Sequence, residues 1–142
     1  VNKAIDIDEY NSQYWLFYSK INKYLNYFDE AEKGLKQAIE FGDKSIETLI
    51  ERVDILIKLG KFEDAKFNLI QALKKYPENE ELEFRICGLF FKLNNFEKGF
   101  GHLLNALHKN AEYIFILEEL FPEVYNNKKI INFINNYNRS SK

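Results

Sequence analysis

Between residues 46 and 59 the apolar side chains Leu49, Val53, Leu56 and Ile57 recur at steps of three and four, and Phe62, Ala65, Leu69, Ala72 and Leu73 do the same between 62 and 75. Such steps line one face of an α-helix, whereas a half-buried strand would alternate at two. The pattern predicts two helices here, and it falls on itself when the chain is shifted by 34 residues. Leu25, Leu59 and Leu93 share a register, as do Phe28, Phe62 and Phe96; Ala31, Ala65 and Gly99; Leu35, Leu69 and Leu103; Ala38, Ala72 and Ala106; and Ile39, Leu73 and Leu107. A fixed period of this length is the mark of a helical repeat in which each unit is one supersecondary element.

The polar punctuation repeats with the core. Asn11, Ser45 and Asn79 share one register, and each residue type can cap a helix by accepting an orphan amide hydrogen bond. Asn26, Gly60 and Asn94 share another, and Asn and Gly tolerate the left-handed conformation at which helices stop. Asp29, Glu63 and Glu97 follow in the first turn of each second helix, where negative charge suits the helix dipole. Pro77 prevents the middle pair from continuing. Each repeat therefore reads as two helices joined by a tight turn, in an all-α chain.

The register divides the chain into repeats at 12–45, 46–79 and 80–113. Ala4 and Ile5 sit one period before Ala38 and Ile39, so residues 1–11 read as the tail of a preceding repeat. Beyond 113 the register decays: Tyr113 replaces the cap, Pro122 interrupts the first helix, and Phe133 stands where Ala or Gly should permit close helix contact. Residues 114–142 read as a degenerate terminal repeat, with Asn135, Asn136, Asn138 and Arg139 suiting a water-facing end. The small residues at 31, 38, 65, 72, 99 and 106 are expected where helix axes approach to roughly 8–10 Å.

Trp15, Phe28, Ala31 and Ala38 in the first repeat, and Leu49, Gly60, Phe62, Ala65, Ala72 and Pro77 in the second, carry a specific signature. Phe96, Gly99, Leu103 and Ala106 continue it less completely. Over residues 12–113 the chain resembles the tetratricopeptide repeat family. The resemblance implies a right-handed superhelical stack of antiparallel helix pairs, with the first helix of each pair lining a concave groove for a peptide or protein segment. Inward positions would be Gln13, Leu16, Phe17 and Lys20; then Glu47, Ile50, Glu51, Asp54 and Ile57; then Glu81, Phe84, Arg85 and Phe91. Leu16, Ile50 and Phe84 would form an apolar stripe flanked by acids, complementary to a partner with apolar anchors and basic residues. The alternative is that Ile50 and Phe84 pack adjacent first helices while the acids are merely solvated. Members that clamp a terminal carboxylate would need Lys at position 16, Asn at 20 and 51, Lys at 81 and Arg at 85. The chain has Leu16, Lys20, Glu51, Glu81 and Arg85, and acids where a carboxylate should sit would repel it.

Composition narrows the function further. In 142 residues, 20 basic and 22 acidic side chains nearly cancel to a net charge of −2, so neither nucleic acid nor anionic membrane is an expected partner. No apolar run approaches the ~20 residues that span a bilayer, and no signal-peptide pattern opens the chain. The single cysteine, Cys87, has no disulfide partner and reads as a small buried apolar residue, which fits a reducing, cytoplasmic setting.

Candidate chemistry is thin. His102 and His108 lie about 240° apart on one helix and cannot share a metal there. Gly99-Phe100-Gly101 follows no strand and reads as helix packing rather than a dinucleotide loop. Glu118 and Glu119 point different ways and read as solvated charge. No cofactor and no enzymatic activity are expected of these residues. A second reading is a structural end-cap or self-association segment, a homodimer burying Phe17 and Phe84, in a protein whose catalytic or signalling domain lies before Val1.

Overall fold

The structure is a computed structural model; it describes residues 3–141, with side chains from Ile7 onward. The chain is all-helical, and no strand occurs among the described residues. The helices are α1 (Lys3–Tyr24), α2 (Phe28–Glu40), α3 (Ile46–Lys58), α4 (Phe62–Lys75), α5 (Leu82–Lys92), α6 (Phe96–Asn110), α7 (Phe115–Leu120), α8 (Pro122–Tyr125) and α9 (Lys128–Ser140). A 3₁₀ turn, Ala111–Ile114, joins α6 to α7.

The 34-residue period is visible in the backbone. Helices end at Tyr24, Lys58 and Lys92, and the next ones begin at Phe28, Phe62 and Phe96. Between them Asn26, Gly60 and Asn94 take left-handed φ values of 63°, 76° and 63°. Each stop has the same two bonds. The left-handed residue's amide donates to the carbonyl of Lys23, Ile57 or Phe91, and the next amide donates to that of Asn22, Leu56 or Phe90. This is the Schellman arrangement, in which a residue that tolerates positive φ lets orphan carbonyls find donors. Ser45 caps α3 as expected, its Oγ accepting from the Thr48 amide at 3.3 Å. Asp43 completes the corner by accepting from the Ser45 amide and from Thr48 Oγ1.

The chain divides into two compact units, residues 1–68 and 69–142. In the first, Ala31 and Leu35 of α2 form a core with Ile55 of α3, joined by Leu16, Phe28 and Leu59. Gly34 brings α2 against α1: a Cβ there would stand 3.0 Å from the Trp15 carbonyl and 3.1 Å from Ser19. Ser19, only 1% exposed, donates its hydroxyl to the Ala31 carbonyl at 2.9 Å.

In the second unit α5 is buried along almost its whole length and packs on α6, α7 and α8. Gly99 lies under the Phe91 ring and Gly88 under the Phe121 ring, so a Cβ at either would collide with aromatic carbons at 2.6 or 2.3 Å. Pro122 divides the segment after α6 into α7 and α8, occupying the start of α8 where a missing amide costs nothing. The closing α9 lays Phe133 against Phe100, with ring centroids 5.0 Å apart.

Several local expectations change. Helix α1 runs through Asn11 without a break, because nothing between residues 3 and 24 is Gly or Pro and Asn11 is tolerated in a helix interior. The side chains of Ala4 and Ile5, which suggested a preceding tail, lie outside the described residues. Asn79 caps one turn before α5 proper: its side chain accepts from the Glu81 amide at 2.8 Å. Gly101 has open space around it and takes no part in helix packing.

Candidate functional site

The first-helix positions meet different fates in the two units. On α1, Gln13, Phe17 and Lys20 are exposed, while Leu16 is half-buried in the core of that unit. On α3, Glu47 is exposed and Glu51 and Asp54 are half-buried. Lys23 of α1 reaches Glu51 of α3 at 3.5 Å on this face. The result in the first unit is an acidic surface bordered by Gln13, Lys20 and Phe17.

The apolar stripe does not line a surface. Ile50 is 8% exposed and Phe84 0%, and Ile57 and Phe91 are buried as well. Large apolar side chains on a helix with neighbours on several sides gain more from burial than from display. Phe91 stacks edge-on against Phe100 at 5.0 Å, and Phe84 is among the largest fully buried side chains. Arg85 is buried too, its Nη1 donating to the Glu81 carbonyl at 2.8 Å and lying 3.7 Å from the half-buried Glu81 carboxylate. Of the expected groove residues, those of α5 belong to the interior of the second unit.

Two constellations were not anticipated. Glu83 occupies the register of Trp15 and Leu49, yet its carboxylate is inside the second unit, 4% exposed. Oε2 lies 2.7 Å from His102 Nδ1 and Oε1 accepts from Lys109 Nζ at 3.2 Å, and Lys109 also donates to the Pro77 carbonyl. The His102 ring lies flat on Phe90 with centroids 5.2 Å apart. Burial works against ionisation of Glu83, but hydrogen bonds and charge from His102 and Lys109 outweigh it and hold the carboxyl below its ordinary value. The group ties α5 to α6 and to the turn before α5. A charged residue in an otherwise apolar register was its sequence signal.

The second is on α1, where Ile7, Tyr10, Tyr14, Phe17, Ile21 and Tyr24 are all exposed. Their spacing alternates three and four along the helix, a signal present in the sequence but divided by the boundary drawn at residue 11.

The side chains singled out in the sequence as candidates for chemistry have other partners. Cys87 is buried and donates to the Phe84 carbonyl at 3.2 Å, and burial pushes its thiol far up. His102 and His108 have separate partners, Glu83 and the Tyr137 ring. Among the described residues, no group of three His, Cys, Asp or Glu side chains could hold a metal ion, and no helix is long and apolar enough to cross a membrane. A hollow of about 450 Å³ at the start of α9 is walled by Phe96, Phe100, Asn127, Lys128 and Lys129. The Asn127 side chain is already engaged with the Lys129 and Ile130 amides. No family model matches the chain, and no curated protein is significantly similar to it.

Proposed function

We propose that this chain is a protein-binding scaffold of the tetratricopeptide type that makes and breaks no bonds. The observation that carries the reading is the recurrence, at a 34-residue step, of helix stop, left-handed turn and helix start at 24–28, 58–62 and 92–96. Buried small residues at Ala31, Ala65 and Gly99 keep the same step. Binding then depends on shape and charge at an exposed face rather than on a reactive group.

The face that suits a partner is the one formed by α1 and α3 in the first unit. Glu47 and Glu51, with Asp54 beside them, favour a peptide segment bearing Lys or Arg, and Phe17 offers apolar contact at the border. Such complementarity acts mainly on specificity and association rate. The full chain, used to pan a displayed library of random peptides, is expected to enrich sequences that combine basic and apolar residues. Glu47→Lys with Glu51→Lys is expected to weaken those peptides by roughly tenfold or more, because like charges then meet. Undiminished binding by that double variant, or enrichment of no peptide class, would sink the assignment.

A further inference from the structure

Helix α1 carries large apolar side chains on two opposite faces, of which one packs against α2. Its packed side carries Leu16 against the core with Ser12 and Ser19 buried beside it, whereas the opposite side carries Ile7, Tyr10, Tyr14, Phe17, Ile21 and Tyr24 at 46–88% exposure. Steps of three and four over 18 residues form an uninterrupted seam of the kind that pairs helices in coiled coils. The same register elsewhere is covered: Thr48 and Ile55 on α3, and Leu82 and Leu89 on α5, are buried. Helix α1 is also longer, 22 residues against 13 in α3 and 11 in α5, although all three stop in the same register. The additional length is at its beginning, and the seam continues onto it through Ile7 and Tyr10.

We propose that this seam is a homodimer interface, in which α1 of one copy lies antiparallel against α1 of a second. The seam is self-complementary under a two-fold axis between Tyr14 and Phe17. Ile7 faces Tyr24 of the partner subunit, Tyr10 faces Ile21 of the partner subunit, and Tyr14 faces Phe17 of the partner subunit. Every layer thus sets a different residue against the first, so that each isoleucine meets a tyrosine, and the self-matching patch satisfies the requirement of an isologous contact. At the flanks Gln13 meets Lys20 of the partner subunit and Asn11 meets Tyr18 of the partner subunit, so no like charges oppose each other. The helix dipoles also run in opposite directions.

The area is sufficient. With side chains of roughly 150–250 Å² each, these fractional exposures leave roughly 700 Å² of seam per copy. Pairing two copies removes roughly 1,200 Å² in all, the lower edge of specific interfaces. Tyrosine and phenylalanine are the residues such interfaces favour, since they add apolar area while a phenol can still meet water. An interface of this size predicts a reversible dimer rather than an obligate one. The seam shares Phe17 with the border of the acidic face but includes neither Glu47 nor Glu51, so Glu47→Lys with Glu51→Lys tests peptide capture and Tyr14→Lys tests this contact.

Sedimentation equilibrium on the full 142-residue chain is expected to show a monomer–dimer equilibrium with a dissociation constant on the order of micromolar. Phe17→Glu should raise that constant by roughly 30-fold or more. Its circular dichroism should remain that of the native chain, because Phe17 is outside the core. Tyr14→Lys should do the same alone. Mixing the two variants should restore a heterodimer, since lysine and glutamate then face each other in one of the two central layers. A native chain that stays monomeric at about 100 µM, far above such a constant, overturns the proposal and leaves the seam to a helix of another protein. A dimer indifferent to Phe17→Glu, or a mixture that stays monomeric, overturns it as well.

Discussion

Helices α1 and α5 occupy the same place in the 34-residue register, and they differ in almost everything that burial decides. Both end at the same Schellman turn and both pair with a following helix that begins with phenylalanine. On α5, which packs on α6, α7 and α8, Leu82, Phe84, Ile86 and Leu89 are all fully buried. On α1, the residues in the registers of Leu82 and Leu89 are Tyr14 and Ile21, and both face outward. Hydrophobicity alone therefore does not place a side chain inside; a neighbouring element has to be there to receive it. On another side of α5, Phe121 comes down onto Gly88, whereas the matching position on α1 is the exposed Lys20.

The comparison can be broken most severely at Phe84. Phe84→Ala is expected to cost about 3–5 kcal/mol in urea unfolding, through lost burial and the cavity left behind. Phe17→Ala, measured in dilute solution where the chain is monomeric, should cost about 0.5 kcal/mol or less. Equal losses at the two sites would mean that α1 and α5 are buried alike.

Next in size is Glu83→Gln, which leaves His102 and Lys109 facing a neutral group. The expected cost is about 2–3 kcal/mol, less than that of breaking a fully buried pair because His102 and Lys109 keep 24% and 22% side-chain exposure. The folded-state value of Glu83 is depressed, so its contribution is complete above the ordinary carboxyl value of 4.5 and is lost as pH falls through the lower folded value. The stability difference between native chain and variant should therefore hold above about pH 4.5 and shrink in more acidic solution. A gap that widens as acid is added would contradict the assigned partners.

Gly88→Ala sharpens the role of α7. A methyl group there meets the Phe121 ring at 2.3–2.5 Å, and the ring must give way, at about 1–3 kcal/mol. Lys20→Ala at the matching position of α1 should be neutral when both variants are compared by urea unfolding.

The smallest effect belongs to what the repeats share. Gly60→Ala puts a Cβ at φ 76° with nothing nearby to clash, so backbone strain alone should cost about 1 kcal/mol. Asn26→Gly and Asn94→Gly should be slightly stabilising or silent in the same unfolding assay, since each removes the residual penalty of a side chain at φ 63°.

Much of the architecture was legible along the chain because it rests on interactions a few residues long. Asn26, Gly60 and Asn94 mark the helix stops, Ser45 caps α3, Pro122 splits the terminal segment, and Ala31, Ala38, Ala65, Ala72, Gly99 and Ala106 are buried as their small size requires. The positions expected to face a groove divide between surface and interior. Gln13, Phe17, Lys20 and Glu47 are exposed, but Ile50, Ile57, Phe84, Arg85 and Phe91 are interior. A register assigns equivalent places on a helix, not equivalent neighbours.

What the sequence by itself determined is therefore the helices, their stops and the 34-residue step, because capping, left-handed turns and apolar periodicity act within one or two turns of chain. Only the tertiary structure decided which faces those helices hide. Glu83 became a buried brace because His102 and Lys109 arrive from 19 and 26 residues away, and Phe121, beyond α6 in the chain, comes down onto Gly88 of α5. The outer face of α1 stayed open because, among the described residues, no comparable element covers it, and burial is a property of what stands opposite a side chain rather than of the side chain alone.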